Sequence, residues 1–175
     1  RLTVANSETI EAKLVDHTLD VGLIEAPSHQ PTLMTEVCCD DDLVAICAPG
    51  QGIAALEYAS AEQLAEQPYV SREVGSGTRE VVDEYFRASG IEPDDLNIVM
   101  ELGSREAIKG AVEAGLGIAI VSRVTIVKEL KLGDLVAVPL QPRLGRPLSL
   151  VYAREKFRSR LLQVFLDFAC SSLRA

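Results

Sequence analysis

With 175 residues, 47% of them hydrophobic, the chain can fill the core of one large domain or of two small lobes. Aromatic residues make up only 5% and Trp is absent, which argues against stacking platforms for single-stranded nucleic acid or sugars. A formal net charge of −9 repels DNA phosphates and anionic membrane surfaces, so nucleic acid is not expected to bind this stretch by itself.

No apolar run reaches the ~18 residues of a membrane span, and no signal-peptide pattern opens the chain. Cys38, Cys39, Cys47 and Cys170 lack C-x-x-C spacing and read as free thiols of a reducing cytoplasm, well ahead of a redox switch.

In chain order, Leu2–Ala5 reads as a strand directly after residue 1, a start as expected of a fragment as of a natural terminus. Ser7 is placed to cap a helix over Glu8–His17, with Ile10 and Leu14 on its inner face and Glu8 near its positive end. Asp20–Ile24 and Asp42–Ala48 are short apolar runs that read as strands, the second ending at Pro49-Gly50. Ser60-Ala61-Glu62-Gln63 fits a capping box that opens a short helix closed by Pro68.

Tyr69–Glu73 predicts the next strand, and the helix after it carries Val81, Val82, Tyr85 and Phe86 as a buried stripe before Gly90 and Pro93. Asn97–Glu101 follows as a strand. Ser104 caps a helix with Ala107, Ile108, Ala111 and Val112 inward and Gly115 at its stop. Gly117–Val121 is a strand, and Thr125–Leu132 a short helix stopped by Gly133. Leu135–Leu140 and Leu148–Tyr152 are two further strands. The last helix, about Phe157–Ser172, aligns Phe157, Leu161, Val164, Phe165 and Phe168 on one stripe. Strands separated by helices imply an α/β fold with a parallel sheet, whose ligands sit beyond the C-terminal strand ends.

Between the fourth strand and its helix stands Val74-Gly75-Ser76-Gly77-Thr78. It has no lysine for a Walker loop, and Glu80 occupies the third glycine position of a dinucleotide fingerprint. What remains is a helix N-terminus whose N–H groups, flanked by Ser76 and Thr78, suit a carboxylate, sulfate or phosphate. The competing reading is a solvated loop with Ser76 or Thr78 as a plain cap, and on chemistry alone it stands slightly ahead. A second corner of the same kind is Leu102-Gly103-Ser104.

Catalysis finds little support. His17 and His29 read as exposed and inert, no G-x-S-x-G elbow is present, and Asp40-Asp41-Asp42 fits the solvated start of a strand better than a metal cage. Catalytic residues, metal and cofactor are each expected to be none.

The ordered series "LDVGLIEAP" (Leu19–Pro27), "DDLVAICAPG" (Asp41–Gly50), "SREVGSGTRE" (Ser71–Glu80), "ELGSREAIKGAVEAGLGIAIVS" (Glu101–Ser122), "ELKLGDLVAVPL" (Glu129–Leu140) and "RPLSLVY" (Arg146–Tyr152) resembles the effector-binding domain of LysR-type transcriptional regulators. The likeness is greatest to the branch of carbon-fixation and sulfite-assimilation regulators. It covers nearly the whole chain.

The resemblance implies a fold like that of type 2 periplasmic binding proteins, two Rossmann-like α/β lobes joined by two crossover segments with the effector between them. Crossings are expected near Val70-Ser71 and Arg143–Leu148. Lobe I would comprise residues 1–70 and 144–175, and lobe II residues 71–143. The family pattern also has a strand and a helix ahead of Leu2, absent from this chain, with a polar loop that supplies part of the effector site.

Under this resemblance the binding role of the Gly75–Thr78 loop overtakes the plain-cap reading. The implied effector-binding residues are Arg72, Ser76, Gly77, Thr78, Gly103, Ser104 and Ser7, with Asn6 and Glu25 as further lobe I candidates. Arg72 and Arg79 could equally face solvent. The implied ligand is a small anionic metabolite. The implied partners are further copies of the chain, as homodimer or homotetramer, and DNA through an N-terminal winged helix-turn-helix absent here. The expected location is cytoplasmic, with no membrane partner. A solute-binding protein of a transporter shares the fold and is the alternative. An enzyme acting on an anionic substrate ranks third.

Overall fold

The computed structural model describes residues 2–154 and 159–173. The chain divides into two compact units. The first comprises Arg1–Asp40, Gly75–Gly77 and Arg146–Ala175, and the second Asp41–Val74 and Thr78–Gly145. This differs from the expected lobes in assigning residues 41–70 to the second unit and Gly75–Gly77 to the first. For residues 41–70 the reason is pairing: strand β2 (Leu33–Cys47) runs past Asp41 into a ladder with β6 (Ala119–Ser122), aligning Leu43 with Ser122 and Ile46 with Ala119.

In the first unit, helix α1 (Ser7–Val15) packs Ile10 and Leu14 against Ile24 of β1 (Gly22–Ile24). Its cap is Asn6, whose Oδ1 accepts the Thr9 N–H at 3.0 Å. Ser7, expected as the cap, is instead the first helical residue, because Asn6 is equally suited to capping and precedes it. Leu2–Ala5 is not a strand. No ladder partner stands beside it among the described residues, and Leu2 and Val4 are exposed.

Strand β7 (Val136–Ala153) pairs antiparallel with β1, Gly22 opposite Val151. It is one continuous strand where two were expected. Pro139, Pro142 and Pro147 punctuate the sequence and hide the continuity. The final helix α6 (Arg160–Leu173) buries Leu166 and Cys170 against Cys38, Leu150 and Tyr152. The apolar stripe of this helix lies outward: Leu161 is 81% and Phe168 66% exposed, and Val164 and Phe165 are exposed as well. Phe157 lies outside the described residues.

The second unit contains β3 (Ala59–Ser60), α2 (Ala61–Ala65), β4 (Tyr69–Arg72), α3 (Gly77–Ala88, begun by a residue of the first unit), β5 (Ile98–Leu102), α4 (Arg105–Glu113) and α5 (Val127–Leu132). The Ser60/Gln63 capping box forms in both directions as expected. The α3 stripe also holds: Val82, Tyr85 and Phe86 are buried with Tyr69, Leu96, Ile118 and Ile120. On α4, Ile108, Ala111 and Val112 face the core, but Ala107 is exposed and Lys109 is buried in its place.

Sheet topology departs from the expected parallel arrangement. The five-stranded sheet follows the order β1-β7-β2-β6 with β3 attached in parallel to β7, while β1·β7 and β2·β6 are antiparallel. Among the described residues the β4·β5 pair has the parallel form expected of consecutive strand–helix units, and a parallel bridge joins Tyr69 of β4 to Ile118 just ahead of β6.

Lys109 and Glu129 join α4 to α5, Nζ to Oε1 at 2.8 Å. Lys109 also reaches Glu106 at 2.9 Å. The hydrogen bond from Lys109 holds Glu129 below its ordinary value of 4.5. The same bond, opposed by burial, raises Lys109 above its ordinary 10.5. The carboxylate's contribution is therefore complete above pH 4.5 and fades as pH falls through its lowered folded value. The ammonium's contribution is complete below pH 10.5 and fades as pH rises through its raised folded value. Thermal midpoints measured across pH are expected to fall more steeply at both extremes in the wild type than in a Lys109→Met/Glu129→Leu double variant. Parallel profiles would remove the pair from the stability balance.

Candidate functional site

In the first unit the Gly75–Gly77 segment lies against the start of α1. The Glu8 N–H donates to the Gly75 carbonyl at 3.2 Å. Gly75 has φ +82°, a left-handed conformation, and a Cβ there would run into the Glu8 carboxylate. A Cβ on Gly77 would stand 2.6 Å from Ser7 Oγ, 3.0 Å from Ala26 Cβ and 3.2 Å from Ala26 N. The two glycines thus serve different ends, one a turn and the other a close approach. Ser76 between them is buried, as is Thr78 after them. Ser7, Ser76 and Gly77 are thereby brought to one place, at the first residue of α3.

Beside Ala26, Glu25 Oε2 meets Arg146 Nη1 at 3.2 Å, and the Arg146 side chain is only 3% exposed. Arg146 was not among the expected site residues. Its signal was an arginine, with Ser149 three places on, in a run that a buried strand ordinarily fills with apolar residues. Both charges are held in a compact ion pair, which fixes the end of β1 to β7.

In the second unit Ser71, Arg72, Thr78, Arg79 and Asp83 line a cavity of about 10 Å³, room for a single water. Arg72 is not a solitary cation: its Nε and Nη2 donate to the two carboxylate oxygens of Glu73 at 2.8 and 3.0 Å. Arg79 donates to the Arg72 carbonyl at 3.1 Å and to the Glu101 carboxylate. Burial pushes the Asp83 carboxyl up, against the pull of Arg79 and Arg87.

The Gly103-Ser104 corner is exposed. Ser104 caps α4, accepting the Ala107 N–H at 3.4 Å, and the open side of Gly103 faces the Glu73 carboxylate. Asp41, expected in a solvated strand start, is buried and accepts the Ser122 hydroxyl at 2.6 Å.

His17 and His29 are exposed. Among the described residues no three His, Cys, Asp or Glu side chains converge on a possible metal position. No described helix is long and apolar enough to cross a membrane. The arrangement supplies helix N–H groups and hydroxyls, which attract negative charge.

The chain matches the LysR substrate binding domain over residues 1–174. It is 43% identical over 169 residues to the uncharacterized HTH-type transcriptional regulator YeiE of Escherichia coli (strain K12), covering 95% of this chain and 56% of that protein. It is 34% identical over 172 residues to the HTH-type transcriptional regulator CbbR of Sinorhizobium medicae, covering 98% and 54%. The chain therefore spans about half the length of the curated relatives it matches.

Among solved structures, the CcmR regulatory domain of Synechocystis PCC6803 in complex with 2-PG superposes with a TM-score of 0.88 at 27% identity, covering 99% of this chain and 83% of that one. The effector binding domain of QuiR in complex with shikimate gives 0.84 at 20% identity, covering 95% and 78%, a likeness of fold alone.

Proposed function

This chain belongs to the LysR substrate-binding domain family, and on that premise we propose that it is the effector-sensing part of a cytoplasmic bacterial transcriptional regulator that binds a small anionic metabolite at the N-terminus of α3. One observation carries the reading of the site: two buried hydroxyl residues, Ser76 and Thr78, flank the first residue of a 12-residue helix. The anion is received by N–H groups of the first turn of α3 and by the hydroxyls of Ser76 and Thr78, with Ser7 beside Gly77. Arg72, Gly103 and Ser104 are set aside from the first circle of contacts. Arg72 is committed to Glu73, Ser104 to capping α4, and Gly103 opens toward an acid.

The 2-PG complex of the CcmR domain supports an anionic ligand class. The HTH-type names of the relatives support regulation over solute transport. The longer protein would grip DNA through an N-terminal winged helix-turn-helix and act as a homodimer or homotetramer. The effector is bound and not turned over in this reading, which the regulator names of the relatives support. Ligand binding acts by favouring one conformation of the regulator over another.

A thermal-shift screen with organic acids, sulfate-like anions and sugar phosphates tests this on the wild type and on Thr78→Val. One class of anion is expected to stabilise the wild type, and its affinity to fall about 10-fold or more in the variant. Equal stabilisation of both proteins would take the loop out of the site, and consumption of the ligand would revive an enzymatic reading.

A further inference from the structure

We propose that Cys38 and Cys170 form an oxidative cross-linking site, at which a disulfide made by exchange with a low-molecular-weight disulfide fastens α6 to β2. Their sulfurs lie 3.2 Å apart, although 132 residues separate them in sequence. Both side chains are buried in one cluster with Leu150, Tyr152 and Leu166. Closing to a bonded distance takes roughly 1 Å, within reach of small side-chain rotations. Cys39 follows Cys38 on the same strand, where side chains alternate between faces, so it does not compete for Cys170. Cys47 belongs to the other unit, where its thiol points to the Val136 carbonyl.

The docked pair is guarded. Cys170 Sγ lies 3.3 Å from Glu36 Oε1. The hydrogen bond with Cys38, burial and the Glu36 carboxylate together push the Cys170 thiol up to about 12. A thiol so placed is a poor nucleophile at neutral pH. Exchange therefore waits on opening of α6, a step favoured by how little of the helix is buried: Leu166 and Cys170 are its buried residues among those described.

Once α6 opens, the Cys170 thiolate attacks one sulfur of oxidised glutathione. A glutathione thiolate leaves and a mixed disulfide remains on Cys170. On redocking, the Cys38 thiolate attacks the Cys170 sulfur and expels the second glutathione. Two protein thiols have then lost their protons and two electrons, and one glutathione disulfide has become two thiols. The product holds α6 in place, and with it the outward Leu161, Val164, Phe165 and Phe168 face.

The test is incubation of the chain with oxidised glutathione at neutral pH, alkylation of the remaining thiols, intact mass measurement and peptide mapping. Two of the four thiols are expected to disappear without retained glutathione, in a peptide joining Cys38 to Cys170. Cys39→Ser should behave like the wild type, whereas Cys38→Ser should stop at a glutathione adduct on Cys170. The thermal midpoint of the cross-linked protein should rise by roughly 5–10 °C and return on reduction. Retention of all four thiols in the wild type, or a bond from Cys170 to Cys39 or Cys47, would overturn the assignment.

Discussion

Phe86→Ala is expected to lower the stability of the second unit by about 4 kcal/mol. Phe86 is wholly buried. Its ring meets Tyr69 edge-on at 6.1 Å and 85°, and Tyr85 at 5.6 Å and 69°. The cluster around it draws on β2, α2, α3, β6 and β7, including Leu43, Leu64, Ile120 and Leu140. Removing the ring forfeits its transfer free energy and leaves a cavity that side chains from so many elements cannot jointly fill. Two edge-to-face contacts, each worth about 1 kcal/mol beyond area, go with it. Urea denaturation followed by circular dichroism would measure the loss. A cost under about 1 kcal/mol would mean that the neighbours collapse into the space and that Phe86 does not organise this core.

Gly117→Ala is expected to cost about 3 kcal/mol, although it adds a single methyl group. The position does not demand a left-handed backbone; it demands room. A Cβ at 117 would stand 2.5 Å from the Pro68 carbonyl oxygen and 3.0 Å from its carbon. Those atoms are backbone and cannot rotate aside. The next residue, Ile118, donates its N–H to that same Pro68 oxygen at 2.8 Å and accepts from Val70 at 2.8 Å. Relief of the clash therefore pulls apart the bonds that seat β4 beside the start of β6. Gly110, inside α4 with nothing near its Cβ position, supplies the contrast. There Gly→Ala should stabilise by up to about 1 kcal/mol. A similar outcome at both positions in thermal unfolding would refute the close-approach account of Gly117.

Much of the fold could be read where the controlling interaction is local. The Ser60/Gln63 box, the Val82–Tyr85–Phe86 stripe and the Gly133 stop at φ +76° are each governed by residues within one or two turns. Failures cluster where partners are distant. Asp41 is satisfied by a serine 81 residues away, and Lys109 by a glutamate 20 residues away, so neither looked buried from its neighbours. Strand β2 begins at Leu33 and passes through a polar stretch that periodicity assigns to solvent. The α6 stripe was found correctly as a stripe, but an apolar face does not say which neighbour covers it. At the candidate site, spacing identified the Gly75–Thr78 loop and the Gly103-Ser104 corner. It could not tell that Arg72 is bound by its adjacent acid, or that Arg146, far along the chain, is the buried cation beside Glu25.

The crowding at Gly77 has a consequence for how this loop can change. Position 77 is closed to every larger residue by Ser7 and Ala26, and position 75 by its backbone angle. Mutational freedom in the loop is therefore confined to 76 and 78. Under the proposed function, attraction for negative charge would belong to main-chain N–H groups, which survive any substitution there except proline. Selectivity among anions would then belong to two adjustable side chains. If the proposed site holds, a lineage, or an engineer, could retune what this loop admits by exchanging Ser76 and Thr78 while a taste for anions would stay fixed in the backbone.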